Sequence, residues 1–147
     1  MPHTSAADTG SAAAQQALCI DTTVRFFHAL DQFDHAACVA LMTSDGSWDR
    51  QGRLFTGRAD VLAMLDERVR TRRTCHVLTN LSATLLAPDR ARVEFCLLAY
   101  EGQTGQADTV PVGRLAGIRR GTDDLERTAD GWRISHKRSE AVFRGAP

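Results

Sequence analysis

Neither an excess of charge nor a long hydrophobic segment is present in this chain of 147 residues. Its 18 basic side chains balance 18 acidic ones, whereas proteins that bind nucleic acid or anionic lipid usually carry a basic excess. No apolar run approaches the roughly 20 residues that cross a bilayer. We therefore expect no nucleic-acid or membrane partner, and the length predicts a single globular domain.

Motifs for metal and phosphate binding are also missing. The four cysteines form no CxxC pair and no Cys-His cluster with zinc spacing. The chain has no glycine-rich phosphate loop and no nucleophile elbow, so we expect neither a metal nor a cofactor. Each cysteine lies in an apolar stretch, which predicts reduced core residues in a cytoplasmic protein. They are Cys19, Cys38, Cys75 and Cys96.

The N-terminal residues 1–17 are rich in Ala, Ser, Thr and Gln and lack the basic start and leucine-rich segment of a secretory signal. We expect a mobile arm here, followed by one domain over residues 18–147, although the alanine-rich part could begin the first helix earlier. Asp21 predicts the cap of a helix that reaches about Leu30. Asp34 predicts the cap of a second, short helix that ends at residues 43–46.

The next segment predicts a hairpin and a third helix. Residues 47–50 and 53–56 read as short strands around the Gln51-Gly52 turn. Gly57 is expected to open the helix, whose apolar face comprises Val61, Leu62, Leu65 and Val69.

Four arginines crowd the C-terminal end of this third helix, where cations complement the helix dipole. They are Arg68, Arg70, Arg72 and Arg73. Because the net charge is zero, a solvated helix end is the favoured interpretation, and a phosphate- or RNA-binding patch is the alternative.

Beyond Thr74 the pattern becomes that of long strands. Residues 75–86 and 91–100 predict an antiparallel pair joined at Pro88-Asp89, and residues 101–108 predict a loop.

A second pair of strands is expected to complete the sheet. Residues 110–120 and 125–128 predict a strand interrupted near Gly121-Thr122-Asp123 by a bulge or a loop. Residues 132–143 predict the final strand, with His136 on a side that could line a cavity. Helices followed by a meander of strands predict an α+β domain in which a curved sheet wraps against the N-terminal helices.

Asp31 is a candidate for a buried acid. Ile20, Val24 and Phe27 recur at i, i+4 and i+7, and Asp31 is the next position on that stripe. A carboxylate on a buried face is costly unless it is paired, so Asp31 needs a hydrogen-bond donor. A solvated cap is the commoner role of a single Asp at a helix end.

A second set of candidates lies on the first long strand. On a strand, His76, Leu78 and Asn80 project to one face, so the imidazole and the amide would share one concave surface. A structural histidine is the commoner role of a single His in a strand.

Five motifs, in this order and spacing, make residues 20–144 resemble a SnoaL-like protein of the nuclear-transport-factor-2-like superfamily. They are His28-Ala29-Leu30-Asp31-Gln32-Phe33-Asp34, Ser47-Trp48-Asp49-Arg50, Leu54-Phe55-Thr56-Gly57-Arg58, Cys75-His76-Val77-Leu78-Thr79-Asn80 and Asp130-Gly131-Trp132-Arg133-Ile134. The resemblance implies a cone-shaped fold, in which a bent mixed sheet forms a cavity closed at one side by the helices. It also implies a homodimer or homotrimer.

Within the superfamily, the pattern is similar to that of scytalone dehydratase and hexachlorocyclohexane dehydrochlorinase. The resemblance implies that Asp31 orients and polarises His76 and that His76 removes a proton during elimination. Asn80 matches the Asn of the HxxxN pattern, and Trp48 matches an aromatic position of the cavity. Two departures are that Tyr100, the only tyrosine, does not match the dehydratase tyrosines, and that Gly121 replaces a frequent aromatic residue.

These features predict a cofactor-independent lyase or isomerase that acts on a small, largely apolar, ring-containing molecule. The apolar walls of the cavity would comprise Phe27, Trp48, Phe55, Leu78 and Phe95. One alternative is a scaffold like the small β subunit of aromatic-ring-hydroxylating dioxygenases. Another is a protein that binds a hydrophobic small molecule without catalysis.

Overall fold

The computed structural model describes residues 10–105 and 110–147. Within them, the helices are α1 (Ala12–Asp31), α2 (His35–Ala40) and α3 (Arg58–Asp66). The strands are β1 (Met42–Arg50), β2 (Arg53–Thr56), β3 (Arg72–Ala87), β4 (Arg90–Gln103), β5 (Arg114–Thr128) and β6 (Gly131–Arg144). None of the described helices is long and apolar enough to span a bilayer.

The described strands form one curved, unclosed sheet in the order β2-β1-β6-β5-β4-β3. β1 runs parallel to β6, and every other neighbouring pair is antiparallel. α1 packs against β3, β4 and β6, so the sheet curves around this helix and the core lies between them. The predicted α+β class with a curved sheet against N-terminal helices is confirmed.

α1 begins at Ala12, in the alanine-rich segment that the sequence offered as the alternative start. The side chain of Ser11 caps it by accepting a hydrogen bond from the Ala14 backbone N–H at 3.1 Å. Residues 12–17 are therefore helical and not part of an arm, because alanine and glutamine are strong helix formers. Residues 1–9 of the predicted arm lie outside the described residues. Trp132 Nε1 donates to Gln15 Oε1 at 2.8 Å, which attaches this first part of α1 to β6.

The buried face of α1 differs from the predicted stripe. Val24 is 39% exposed, whereas Cys19, Phe26 and Leu30 are buried in the core. The face that meets the sheet is thus rotated, and Asp31 lies at its edge, with 17% of its side chain exposed. This position leaves the carboxylate between the core and solvent.

The predicted short elements are confirmed in part. Asp34 caps α2 through the Ala37 N–H, and β1 and β2 form the predicted hairpin around Gln51 and Gly52. Both turn residues have positive φ angles, 55° and 83°, as a type I′ turn requires. The second helix was expected to end at residues 43–46, but α2 ends at Ala40 and residues 43–46 lie within β1. α3 ends at Asp66, so Val69 is not on its buried face and is 62% exposed.

The long strands differ from the prediction mainly in β5. The predicted interruption at residues 121–123 is absent, because all three residues pair in register with β4 and β6. The irregularities lie elsewhere: Ala116 of β5 has no partner on β4, and Ser135 and Val142 of β6 have none on β5. Part of the predicted loop at residues 101–108 belongs to β4, and residues 106–109 are not described.

Only two of the four cysteines are core residues. Cys19 and Cys38 are buried, and burial raises the pKa of their thiols to about 11 and about 12. Cys75 is exposed and Cys96 is half-buried, because both lie on the outer side of their strands. The prediction of four core cysteines is therefore wrong for these two.

The core contains a buried ion pair that no sequence pattern indicated. Lys137 Nζ donates to both carboxylate oxygens of Asp123, at 2.8 and 2.9 Å. The two residues are cross-strand partners in β5 and β6, and Thr23 Oγ1 donates to the same carboxylate at 2.9 Å. Burial lowers the pKa of Lys137, and the charge of Asp123 opposes this change.

We expect the substitution Lys137→Met to destabilise the protein by about 3–5 kcal/mol, because it leaves a buried carboxylate without a counter-charge. The double variant Lys137→Met with Asp123→Leu should recover most of this loss, since it removes both charges. Urea unfolding followed by circular dichroism measures both free energies. A double variant no more stable than Lys137→Met alone would contradict the assignment.

Candidate functional site

The structure brings Asp31, at the end of α1, into contact with His76 on β3. Asp31 Oδ1 lies 2.6 Å from His76 Nδ1, and the backbone N–H of His76 donates to Oδ2 at 2.8 Å. Only 13% of the His76 side chain is exposed. The acid and the imidazole that the sequence placed on separate elements therefore form one pair.

Thr74 and Arg68 extend this pair into a chain of hydrogen bonds. Thr74 Oγ1 donates to Asp31 Oδ1 at 2.8 Å, and Arg68 Nη2 donates to Thr74 Oγ1 at 3.0 Å. Arg68 Nη1 also donates to the carbonyl of Leu30 at 2.8 Å. These contacts hold the last turn of α1 against the start of β3.

The carboxylate of Asp31 is ionised at neutral pH. Burial alone would raise its pKa, but hydrogen bonds from the side chain and backbone of His76, and one from Thr74, lower that pKa below the ordinary value of 3.8. An ionised carboxylate can only accept hydrogen bonds, so Nδ1 of His76 carries the proton. In the neutral imidazole Nε2 is then unprotonated, and none of the described residues hydrogen-bonds it.

A cavity of about 310 Å³ lies between α1 and the concave face of the sheet, and His76 forms part of its wall. Phe27 and Thr74 line both this cavity and a neighbouring groove, which also reaches Asp31. The Phe27 and His76 rings are 5.3 Å apart between centroids. The imidazole is thus held at an apolar wall that both spaces share.

The predicted wall residues divide into two groups. Phe27, Trp48 and Phe95 line the cavity as expected. Leu78 lines the groove beside His76, and Phe55 lies in a separate surface depression under the guanidinium of Arg53. Phe55 is displaced because it belongs to the edge strand β2, far from the centre of the sheet.

Asn80 does not share a surface with His76, contrary to the prediction. It has a φ of 54° and lies in a bulge of β3, where Asn80 and Leu81 together face one residue of β4. The bulge ends the simple alternation of faces, so the Asn80 side chain is exposed. Asparagine tolerates this left-handed backbone better than most residues, which is the one hint in the sequence.

The bulge at Ser135 similarly exchanges the expected roles of His136 and Lys137. His136 turns away from the cavity, and its Nδ1 lies 2.7 Å from Ser47 Oγ on the neighbouring strand. Lys137 lines the cavity instead, with Nζ 4.3 Å from the Phe27 ring centroid and 5.5 Å from that of Phe95. A strict alternation of residues along β6 could not have identified this lysine.

Gly121 allows an aromatic side chain to form the cavity wall. It pairs with Phe95 across β5 and β4, and a Cβ atom at position 121 would overlap the Phe95 ring. The aromatic surface that relatives were expected to place at this position is therefore supplied here by Phe95.

Arginines form much of the remaining wall, which sequence analysis did not foresee. Arg68 and Arg72 were interpreted as part of a solvated helix end, but both are half-buried and line the cavity with Arg50 and Arg119. Arg70 and Arg73 are exposed, as that interpretation predicted.

Within residues 10–105 and 110–147, no three His, Cys, Asp or Glu side chains lie close enough to hold a metal ion.

Comparison with known proteins agrees with this architecture. Residues 11–138 match the family of SnoaL-like domains, whereas no curated protein matches the chain. The chain is similar to a proposed aromatic ring hydroxylase from Novosphingobium aromaticivorans, with 19% identity and a TM-score of 0.78 over 93% of this chain and 96% of that one.

Two further solved structures share the fold. The type-3 hexachlorocyclohexane dehydrochlorinase from Novosphingobium barchaimii is 17% identical, with a TM-score of 0.75 over 91% of each chain. A ketosteroid isomerase-like protein from Erwinia carotovora is 17% identical, with a TM-score of 0.68 over 90% of this chain and 98% of that one. At such low identity these likenesses show the fold alone, and they confirm the predicted cone.

We expect Asp31→Asn to destabilise the protein at neutral pH by about 1–3 kcal/mol, because the amide cannot accept all three hydrogen bonds. The pKa of Asp31 is lowered by folding, so its stabilising effect is present above the ordinary value of 3.8 and is lost as the pH falls through the folded-state pKa. The difference between wild type and variant should therefore shrink in acid. Urea unfolding over a range of pH measures it.

Asp21→Asn is the matched control, since it removes an exposed carboxylate from the same helix. It should change the free energy of unfolding by no more than about 0.5 kcal/mol. An Asp31→Asn effect that stays constant from neutral to acid pH would refute the proposed hydrogen bonding.

Proposed function

The chain belongs to the SnoaL-like domain family, and we propose that it is a cofactor-independent lyase or isomerase in which His76 removes a proton from a small ring-containing molecule. The observation that supports this proposal is the Asp31–His76 contact at the wall of an interior cavity. The names of two structural neighbours, a dehydrochlorinase and a ketosteroid isomerase-like protein, point to the same kind of chemistry.

In the proposed reaction, the carboxylate of Asp31 holds the Nδ1–H of His76 and leaves the Nε2 lone pair to act as the base. When Nε2 takes a proton from carbon, the imidazole becomes an imidazolium, and the neighbouring negative charge of Asp31 stabilises it. The electron pair of the broken C–H bond then forms a double bond. In an elimination, formation of this double bond expels a leaving group from the substrate. In an isomerisation, the double bond shifts and another carbon of the substrate takes up the proton.

The cavity can also stabilise the substrate as the proton leaves. Negative charge develops on the substrate at that moment, and fixed cations in a site of low water content lower its energy. Arg68 supplies positive charge at the cavity wall and is held by hydrogen bonds to Leu30 and Thr74. This group need not reorganise during the reaction.

The cavity by itself would equally serve a protein that binds a small molecule without turnover, and this is the second candidate function. The Asp31–His76 pair favours the enzyme, because binding alone does not need an ionised carboxylate beneath an imidazole.

A scaffold role beside an iron-containing subunit predicts co-purification with a Rieske-type partner. We further propose that the protein forms a homodimer or homotrimer.

The proposed base can be tested without knowledge of the natural substrate. 5-Nitrobenzisoxazole loses one C–H proton to a general base, its N–O bond breaks, and the coloured nitrophenolate product reports the rate. We expect His76→Ala to lower the rate by about 10²–10⁴-fold, the usual contribution of a positioned general base. Asp31→Asn should lower it by a factor of about 10² or more, since the tautomer is no longer held.

The matched control is His136→Ala, which removes a histidine that the structure places away from the cavity and bonded to Ser47. This variant should keep the rate of the wild type, with folding checked by circular dichroism. Equal rates for wild type and a folded His76→Ala variant would refute the proposed base.

A further inference from the structure

The wall of the cavity carries an unusual amount of positive charge for a chain whose formal net charge is zero. Among the described residues that line it, none is an aspartate or a glutamate. The cationic lining residues are Arg50, Arg68, Arg72, Arg119, Lys137, Arg138 and Arg144. Positive charge is therefore concentrated in a cavity that His76 also lines.

Three of these cations form ion pairs with carboxylates that do not line the cavity. Arg72 is bonded to Glu101 at 2.6 Å, Arg138 to Asp124 at 2.8 Å, and Lys137 to Asp123. The remaining four cations of the lining, which are Arg50, Arg68, Arg119 and Arg144, form no ion pair among the described residues.

Arg50, Arg68 and Arg119 have only neutral partners. Arg50 Nη1 donates to Met64 Sδ at 3.6 Å, and Arg119 donates to the hydroxyl and the carbonyl of Ser139 at 2.7 and 3.1 Å. Arg68 donates to the Leu30 carbonyl and the Thr74 hydroxyl. No carboxylate of the described part of the chain lies within 4.0 Å of these three guanidinium groups.

This arrangement is costly in the absence of an anion. Burial lowers the pKa of Arg50, and the charges of Arg72 and Arg119 lower it further. Burial likewise lowers the pKa of Arg68, and the charges of Arg72 and Arg50 lower it further, whereas the charge of Asp31 opposes the change. Arg50, Arg68 and Arg119 line the same cavity, so their like charges repel one another there, and a bound anion would relieve that repulsion.

We propose that the cavity binds a small ring-containing oxyanion, with Arg50, Arg68 and Arg119 around the anionic group and Phe27, Trp48 and Phe95 against the ring. Guanidinium groups match carboxylate, sulfonate and phosphate oxygens, because their N–H groups form a planar fork. A volume of about 310 Å³ accommodates a molecule of one or two rings. The ligand class is therefore anionic, where the sequence had predicted a largely apolar one.

This inference rests on the proposed function for the identity of the reacting molecule, but the binding of the anion does not depend on catalysis. The chain from Arg68 through Thr74 to Asp31 and His76 links the anion-binding end of the cavity to the proposed base. A ring acid held at Arg68 would thus present its ring near His76.

The test compares one ring system with and without a negative charge. Calorimetric titration of 1-naphthoate and of the neutral 1-naphthamide measures both dissociation constants. We expect the naphthoate to bind about tenfold more tightly or better, the factor that one charge-assisted hydrogen bond supplies. Naphthalene-1-sulfonate and 1-naphthyl phosphate distinguish which oxyanion the site prefers. Equal binding of acid and amide, or no binding of any of the three anions, would overturn the proposal.

Variants then assign the binding to particular arginines. Arg50→Gln and Arg119→Gln should each weaken naphthoate about tenfold or more and leave naphthamide nearly unchanged. Arg25→Gln is the matched control, because it removes an exposed arginine of α1 and should alter neither. If Arg50→Gln and Arg119→Gln weaken the binding of naphthoate and naphthamide equally, the substitutions have changed the shape of the cavity. That result would contradict the assignment.

Thermal unfolding distinguishes recognition from a structural role of Arg50. Removal of a desolvated charge that neighbouring arginines repel should leave the Tm of the ligand-free protein unchanged or raise it, and naphthoate should raise the Tm of the wild type more than that of Arg50→Gln. A lowered Tm for the free variant, with the same naphthoate effect as in wild type, would contradict the inference.

The outcome is separable from that of the proposed function. The preference for naphthoate over naphthamide should persist in His76→Ala, since the imidazole lies near the ring and loss of that contact affects the acid and the amide alike. If His76→Ala keeps the rate with 5-nitrobenzisoxazole while naphthoate binding still depends on Arg50, the proposed base is wrong and the anion site stands. If His76→Ala loses the rate with 5-nitrobenzisoxazole while naphthoate binding does not depend on Arg50, the proposed base stands and the anion site is wrong.

Discussion

The carboxylate of Asp31 joins the end of α1 to the start of β3, and the candidate site depends on that connection. It accepts hydrogen bonds from the imidazole and backbone N–H of His76 and from the Thr74 hydroxyl. These donors keep the acid ionised despite its burial and determine which nitrogen of His76 carries the proton. One interaction therefore both docks the helix on the sheet and prepares a base.

A second constraint is the separation of charge inside a chain that is neutral as a whole. The acids paired with Lys137, Arg72 and Arg138 do not line the cavity, whereas the cations do. Arg50, Arg68 and Arg119 form no direct ion pair with a carboxylate of the described residues. The interior thus combines an aromatic wall, a polarised imidazole and a positive field, which suits the loss of a proton from a molecule that already carries an acidic group.

Local patterns predicted the parts of the fold that depend on neighbouring residues. The Gln51-Gly52 hairpin and the Asp34 cap were predicted because turn and cap geometry is specified within a few residues. The proximity of Asp31 and His76 needed the family resemblance as well, because the two residues lie 45 positions apart. Asn80 and His136 were misplaced because bulges in β3 and β6 interrupt the alternation on which the prediction relied.

The sequence by itself determined the α+β order of elements, the main turns and the acid–histidine pairing, since these follow from short-range patterns and from a motif set that spans the chain. Only the tertiary structure decided that Lys137 points inward, that Asp123 is its partner, and that arginines from β1, β3, β5 and the segment after α3 meet around one cavity. The physical reason is that the burial and charge of a side chain depend on strands that lie far apart in the sequence and are brought together by the curvature of the sheet.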